Sequence, residues 1–232
     1  MRLEGGIYIN QSGLSQSIRA MHMQTELMNI ASENVTGFDK IGYQRHEPVV
    51  SSFSEIIGIH GISRAIDDQV GRIFNTNSPL DCAIATKGYF QLLNKDGSIK
   101  LTRDGRFKIN KDGEIIGLNG ENLLSVGGEK IKLSVIPEEA EDIKITSDGK
   151  IGVFDPKTRK MQYETKISVV TSEGAVIPNP DIKQGYLEAS NVSIQQEFFE
   201  MVPVRRNFDA NRQMFMLQRS NLSRAIQELG GG

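Results

Sequence analysis

The feature that most constrains the fold of this chain is a ladder of apolar residues close to its C-terminus. The ladder repeats at seven-residue steps and consists of Ile194, Met201, Phe208, Phe215, Leu222 and Leu229. Such a repeat places one apolar stripe along a helix, and helices with this pattern pack against other helices. The pattern therefore predicts a helix over residues 191–229, about 58 Å long at ~1.5 Å per residue.

The sequence around this helix also predicts its start and one irregularity. Ser193 followed by Gln196 fits a capping box, in which each residue satisfies a free backbone N–H of the first turn. Pro203 has no N–H and its ring collides with the preceding turn. We therefore expect a kink or a break between Phe199 and Pro203.

A second seam beside the ladder is predicted at the positions four residues after each ladder position. These are Phe198, Arg205, Arg212, Arg219 and Ile226. Arginines do not suit a simple two-helix zipper, whereas they suit a helix with several neighbours whose carboxylates can meet them. A solvated charged face is the alternative reading of the three arginines.

The N-terminal region predicts a second amphipathic helix over residues 10–36. Its seven-residue ladder is Leu14, Met21, Met28 and Val35, broadened by Ile18, Met23, Leu27 and Ile30. Ser12 is the predicted N-cap. Gly37 is the predicted stop, because glycine accepts the left-handed conformation that ends many helices.

The residues between the helices predict β structure. Asp-Gly pairs at 96–97, 104–105 and 112–113 recur every eight residues, which is typical of hairpin turns in an antiparallel meander. The intervening strands are predicted at 98–103 and 106–111.

The predicted fold is therefore α+β, with long N- and C-terminal helices packed as a coiled-coil-like core and an all-β antiparallel meander inserted between them. The expected domains are an N-terminal assembly helix at 1–37, an extended connector with short strands at 38–75, a central β domain at 76–190 and a C-terminal assembly helix at 191–232. Two helices packing on a sheet in a single globule is the alternative.

Composition excludes several classes of function. The chain has 27 basic and 29 acidic side chains, a net charge of -2, which argues against a nucleic-acid-binding protein. No apolar stretch approaches the roughly 18 residues of a membrane span, and the first ten residues lack the apolar core of a cleaved secretory signal. The one cysteine, Cys82, is expected to be a small buried apolar residue.

The sequence offers no catalytic, cofactor or metal constellation. His22, His46 and His60 lack a second ligand at metal-binding spacing. An enzyme acting on cell-wall glycan needs two converging acids, and the best pair is Asp104 and Asp112, which fit turns better. No cofactor and no enzymatic activity are expected.

Six motifs in order resemble the flagellar basal-body rod and hook family of axial proteins. They are Ser12-Gly-Leu14; Asn29-Ile-Ala31 with Gly37-Phe38; Asn77-Ser-Pro-Leu-Asp81 with Ala83-Ile84; Gly88-Tyr-Phe-Gln-Leu92; Thr102-Arg-Asp-Gly-Arg-Phe107; and Gly185-Tyr-Leu-Glu188 with Arg206-Asn-Phe-Asp-Ala-Asn211. The second motif departs from the family pattern at Met28, Ser32 and Val35.

The resemblance implies a structural subunit of the rod, which assembles helically into the hollow axial drive shaft that transmits torque and conducts exported subunits. It implies as partners other copies of the chain, neighbouring rod and hook subunits, the flagellar export apparatus and the rings around the rod, with no membrane insertion. It implies a place in the basal body within the cell envelope and periplasm, reached by type III export without a cleaved signal.

The ladders and the resemblance together give a candidate self-assembly interface. It comprises Leu14, Ile18, Met21, Met28, Val35, Ile194, Met201, Arg205, Phe208, Asn211, Arg212, Phe215, Leu222 and Leu229. Phe53 and Ile57 resemble the aromatic–aliphatic export motif of early substrates. The alternatives are a hook-type axial protein and an extracellular β-domain binding module with a helical dimerisation stalk.

Overall fold

The structure is a computed structural model that describes residues 4–51, 61–137, 139–155 and 159–230. It has helices α1 (Glu4–Gly37) and α2 (Ile194–Gly230). The strands between them are β1 (His46–Val50), β2 (Ile62–Ile66), β3 (Ile73–Asn75), β4 (Cys82–Ile84), β5 (Tyr89–Leu93), β6 (Ile99–Thr102), β7 (Lys108–Ile109), β8 (Ile115–Ile116), β9 (Asn122–Leu123), β10 (Ile143–Ile145), β11 (Lys150–Asp155), β12 (Lys160–Lys166), β13 (Val169–Val170), β14 (Ile182–Gln184) and β15 (Tyr186–Glu188). The α+β class, with antiparallel strands between two terminal helices, is confirmed.

Helix α1 confirms the predicted end and corrects the predicted start. Ser12 lies inside the helix, which already includes Glu4, so the prediction of an N-cap at Ser12 was wrong. A serine in a helix interior costs only a fraction of a kcal/mol, so a good capping residue does not by itself begin a helix. Gly37 ends α1, and a Cβ there would lie 2.4 Å from the Tyr43 ring.

Helix α2 starts where the sequence predicted. The amide of Gln196 donates to Ser193 Oγ at 3.4 Å, while the Gln196 side chain donates to Glu200 rather than returning to Ser193. One of the two hydrogen bonds of the predicted capping box therefore forms, and the reciprocal one does not. The helix continues through Pro203, so the alternative of a break was wrong. Pro203 and Phe199 are both exposed, and the Phe199 carbonyl that loses its donor therefore lies on the solvent side.

The chain forms two compact units. The helical unit contains the described parts of residues 1–36, 45–67 and 192–232, and the β unit contains those of 37–44 and 68–191. In the helical unit, β1 and β2 pair in antiparallel orientation. No described helix is long and apolar enough to cross a membrane.

The described residues of the β unit form four antiparallel sheets. Their strand orders are β13-β5-β9-β8-β7 with β6 also on β5, β10-β11-β12, β14-β4 and β15-β3. Its core is a cluster of buried aliphatic and aromatic side chains in which the Phe90 and Phe107 rings meet edge to face at 5.1 Å. Cys82 lies in this core, and burial raises the pKa of its thiol above the usual range.

The predicted meander holds at two of the three Asp-Gly pairs. Gly97 and Gly113 have φ of 84° and 78°, as glycine-dependent turns require. Asp104-Gly105 is not a hairpin turn, because β6 pairs with β5 whereas β7 pairs with β8. Gly105 instead backs onto Cys82, where a Cβ would lie 1.6 Å from the Cys82 carbonyl oxygen. A close approach between distant segments, rather than a turn, requires that glycine.

Candidate assembly surface

Several of the sequence motifs meet in the β unit at the side chain of Arg103. Its Nε lies 2.6 Å from Glu188 Oε2, and the two side chains are only 1% and 2% exposed. The guanidinium also donates to the carbonyls of Gly88, at 2.5 Å, and Ile84, at 2.8 Å. Arg103 thereby joins four of the motifs, and a fully buried charge is compensated on every side.

The contacts of Arg103 hold the β unit together, and they do not form a catalytic or metal site. Arg103 is surrounded by carbonyls and a carboxylate that hold it in place, and Asp104 is occupied by the side chain of Arg106 at 2.6 Å. Among the described residues, no group of His, Cys, Asp and Glu side chains could hold a metal ion. Asp104 and Asp112 do not form a pair of converging acids. Asp112 lies in the 110–114 turn, where its backbone amide donates to Asn110 Oδ1.

In the helical unit, α1 and α2 contact each other and run antiparallel. A Cβ on Gly13 would lie 2.6 Å from Gln218 Nε2. Asn211 donates to Gln24 Oε1 at 3.4 Å. At the other end, Asn34 donates to Glu197 Oε2 at 3.2 Å. Early residues of one helix thus meet late residues of the other.

A buried charge cluster closes one end of this helix pair. Arg45 forms ion pairs with Glu197 at 2.5 Å, Glu200 at 2.6 Å and Glu47 at 2.8 Å. Burial lowers the pKa of Arg45, but the hydrogen bond and charge of Glu197 and the other carboxylates outweigh it and raise the pKa above the ordinary value. The cluster ties the start of β1 to the start of α2.

Sequence reasoning missed this cluster. Arg45 and Glu197 are 152 positions apart. The residues next to each of them in the sequence do not distinguish it from an ordinary surface charge. Glu197 in the first turn of α2 could have been noticed, since a carboxylate there complements the helix dipole. Its partner could not have been found from spacing.

Most of the predicted interface residues are half-buried, and a few are exposed. The half-buried members are Leu14, Met21, Met28, Val35, Ile194, Met201, Phe208, Asn211, Phe215 and Leu222. Ile18, Arg205, Arg212 and Leu229 are exposed, and Leu229 is 64% exposed. Phe53 and Ile57 lie outside the described residues.

The second seam differs from the predicted one. The predicted positions Phe198, Arg205, Arg212, Arg219 and Ile226 are all exposed, whereas the helix turns inward three residues after each ladder position, at Glu197, Val204, Asn211, Gln218 and Ala225. A seven-residue ladder allows either neighbour as its second seam. The polar residues of α2 face inward because α1 supplies hydrogen-bond partners for them: Asn34 for Glu197 and Gln24 for Asn211.

A groove of about 510 Å³ runs between the two helices. Small and amide side chains such as Ser17, Ala20 and Asn207 line it together with the larger apolar side chains of Met23, Leu27, Val204 and Met214. The two helices therefore do not fill the space between them, and the apolar ladder on α2 is only half covered within one chain. Apolar surface left uncovered along terminal helices is typical of structural proteins that assemble with other chains.

Comparison with known families agrees with this class. Residues 83–153 match the D1 domain of the flagellar hook protein FlgE/F/G, and residues 183–228 match the C-terminal region of the flagellar basal body rod FlgEFG protein. Together these segments cover half of the chain. The protein belongs to this family of flagellar rod and hook axial proteins.

Individual relatives are rod proteins. FlgF of Rhizobium meliloti is 26% identical over 245 residues, which cover 95% of this chain and 99% of the relative. FlgG of Bacillus subtilis is 27% identical over 225 residues, covering 79% and 84%. FlgG of Borreliella burgdorferi is 29% identical over 229 residues, covering 82% and 86%. Their names support a structural role in the basal-body rod over a hook or binding-module role.

Proposed function

We propose that this protein assembles helically into the hollow rod of the flagellar basal body, as a shaft that transmits torque and conducts exported subunits. One observation carries the proposal. The core of the β unit is closed, whereas the ladder Ile194, Met201, Phe208, Phe215 and Leu222 stays half exposed along α2. Apolar surface of this extent is stabilised when other subunits cover it.

The proposed assembly interface is the set of half-buried ladder residues of both helices together with Ile18, Arg205, Arg212 and Leu229. The helices would pack with those of neighbouring subunits in coiled-coil fashion. The half-buried amides of Asn211 and Gln218 could form hydrogen bonds with helices of different subunits, since amide side chains both donate and accept.

The proposed domain roles follow the sequence. Residues 1–37 and 191–232 assemble, residues 38–75 connect and residues 76–190 form the outward-facing β domain. Partners would be further copies of the chain, neighbouring rod and hook subunits, the export apparatus and the surrounding rings. Export would proceed without a cleaved signal, with Phe53 and Ile57 as the gate-recognition residues, to the periplasmic part of the basal body.

The proposal is tested by complementing a strain that lacks this gene. Phe215→Ala removes a ring from the middle of the ladder and should give exported subunits that are not incorporated into purified hook–basal bodies. Ser220→Ala on the exposed side of the same helix is the matched control and should assemble normally. Normal swimming and normal rods with Phe215→Ala and Phe208→Ala would contradict the proposed interface.

The export proposal has its own test. Phe53→Ala with Ile57→Ala should leave the subunit in the cell while it remains folded. Secretion at the level of the unchanged chain would remove these two residues from the export motif without affecting the rod proposal.

A further inference from the structure

One face of the β10-β11-β12 sheet carries an apolar strip, here called the aromatic strip, that the proposed rod function does not use. Phe154 of β11 and Met161 of β12 are register partners, so their side chains lie side by side on this face. Tyr163 follows on the same face, two residues further along β12. Its ring lies over Gly152, where an added Cβ would be 3.0 Å from two ring carbons. Phe154 and Met161 are half-buried and Tyr163 is 52% exposed, so the strip presents two aromatic side chains at the surface.

The aromatic strip borders an open cleft within the β unit. The cleft has a volume of about 710 Å³, which lies in the size range of small-molecule sites. Phe154 and Met161 contribute apolar surface to it. Its polar lining includes the side chains of Asn75, Asn77, Glu141 and Asp142. Apolar surface beside a few convergent polar groups is the usual composition of a ligand-binding site.

The polar groups of this cleft are available to a ligand. Asn75 Oδ1 accepts a hydrogen bond from the backbone N–H of Asn77 at 2.9 Å. In the described part of the chain, Asn75 Nδ2 and the side-chain amide of Asn77 have no hydrogen-bond partner, and Glu141 and Asp142 form no ion pair. Amides donate and accept, whereas carboxylates accept. Together they match hydroxyl groups, which also do both.

The walls of the cleft are held in place by one buried hydrogen-bonding group. Gln184 Nε2 donates to the carbonyl oxygens of Pro79, at 2.7 Å, and Ile143, at 2.8 Å. Gln184 Oε1 accepts from the backbone N–H of Ile145 at 3.0 Å. The side chain thereby joins the loop before β4 to β10 and β14. A cleft fixed in this way needs no rearrangement before it binds, which lowers the entropy cost of binding.

We propose that the aromatic strip and the cleft bind a neutral oligosaccharide. A pyranose ring has C–H groups on its faces and hydroxyl groups around its edge. The C–H groups are weakly positive and stack on the electron-rich faces of Phe154 and Tyr163. The hydroxyl groups reach the amides of Asn75 and Asn77 and the carboxylate of Asp142. The two rings lie about 7 Å apart along the strands at ~3.4 Å per residue, so the strip takes more than one sugar ring.

The charges at the cleft favour a neutral ligand. Its lining contains two carboxylates, Glu141 and Asp142, and one ammonium group, that of Lys144. An anion such as phosphate would meet this negative excess, and a purely apolar ligand would leave the amides and carboxylates without partners. A basic peptide is the remaining competitor, and Lys144 beside the carboxylates weakens its attraction. This inference is independent of the proposed rod function.

The test is titration of the full chain with chitotetraose and with cellotetraose, followed by calorimetry and by backbone amide NMR. We expect at least one of these probes to bind with a dissociation constant of about 1 mM and to shift the amide signals of the cleft. Phe154→Leu and Tyr163→Leu should each weaken binding about threefold to tenfold, because each keeps an apolar side chain and removes a stacking ring. Thermal unfolding of each variant checks that the fold is kept.

A variant of Asn77 tests the polar side of the cleft. Asn77 has a φ of 57°, a conformation that glycine adopts without strain. Asn77→Gly therefore removes the amide and leaves the backbone in place, and it should weaken binding severalfold. Asn179→Ala removes an exposed amide that does not line the cleft. It is the matched control and should bind the probes as the unchanged chain does.

Three results would overturn the proposal. The first is no binding of either oligosaccharide. The second is binding that both ring variants and Asn77→Gly leave unchanged, since the probe would then lie elsewhere. The third is preferential binding of triarginine that falls with added salt and is lost in Asp142→Asn, which would assign the cleft to a basic peptide; neutral oligosaccharide binding should not depend on salt. Rod incorporation is scored separately, and a Tyr163→Leu subunit that loses oligosaccharide binding yet enters the rod keeps the two conclusions apart.

Discussion

The β unit and the helical unit bury their side chains to very different extents. The β unit closes a core around Phe90, Phe107 and Cys82. In the described helical unit, only Ile30, Ala31 and Val192 are buried apolar residues, although the helices carry two apolar ladders. The first unit has the interior of a self-sufficient domain. The second leaves apolar side chains such as those of Met214, Met216 and Leu217 exposed, and the proposed assembly would cover surface of this kind.

The two units share one device, a buried Arg–Glu pair. Arg103 with Glu188 lies in the β unit, and Arg45 with Glu197 lies in the helical unit. The difference lies in the surroundings. Backbone carbonyls complete the shell of Arg103, whereas half-exposed carboxylates complete that of Arg45. We therefore expect the β unit to lose more stability than the helical unit when its pair is broken.

The largest effect is expected from Arg103→Ala. The change leaves the buried carboxylate of Glu188 without its cation and removes the hydrogen bonds from Arg103 to the carbonyls of Ile84, Thr86 and Gly88, which costs about 3–5 kcal/mol. Thermal unfolding of the β unit, followed by its β-sheet circular dichroism, measures the loss. Arg106→Ala is the matched control, because its pair with Asp104 is partly exposed and should shift the midpoint little. Equal shifts for the two variants would show that Arg103 is not the centre of the unit.

Arg45→Ala should have the next largest effect, and in the helical unit. Glu197 is 2% exposed in its side chain, and losing its cation costs about 3 kcal/mol. The helical signal at 222 nm (a standard wavelength for helix content) should melt earlier while the β unit keeps its midpoint. Arg64→Ala, which breaks exposed pairs with Glu26 and Glu33, should leave both transitions nearly unchanged. A joint shift of both transitions would mean that the units unfold as one.

Phe208→Ala and Phe215→Ala should destabilise the isolated chain modestly and assembly strongly. Each ring is only half-buried, so the loss in the monomer is about 1–2 kcal/mol rather than the ~3–5 kcal/mol of a fully buried ring. The remainder of the effect should appear when subunits meet. Monomer unfolding and rod incorporation are measured side by side. A large loss of unfolding free energy in the monomer together with normal rods would contradict the view that the helical unit is stabilised mainly by assembly.

The smallest effect on the monomer is expected from the exposed arginines. Arg205→Gln, Arg212→Gln and Arg219→Gln should each leave the unfolding midpoint unchanged, since all three are exposed. We expect one or two of them to block incorporation, because a guanidinium that forks onto a neighbour's carboxylate sets the register between subunits. Normal, salt-resistant rods from all three single variants would leave the arginines as a solvated face.

Local sequence signals determined the elements of this protein. The ladder from Ile194 to Leu222, the cap at Ser193 and the stop at Gly37 each act within a few residues, and the structure confirms the two helices and these boundaries. The turns at Gly97 and Gly113 are equally local, because glycine alone adopts their backbone angles easily. The order of the motifs likewise identified the family before any contact was known.

Only the tertiary structure decided which face of α2 packs inward and which distant residues each element contacts. The ladder on α2 was compatible with a second seam at either neighbouring position, and the hydrogen-bond partners on α1 selected the one with Asn211. Gly105 has the same local sequence signal as Gly97, yet its role depends on Cys82 approaching from another strand. The ion pairs of Arg45 and Arg103 join residues 152 and 85 positions away. Periodicity reports the shape of one element, whereas its partner depends on contacts that the neighbouring residues in sequence do not encode.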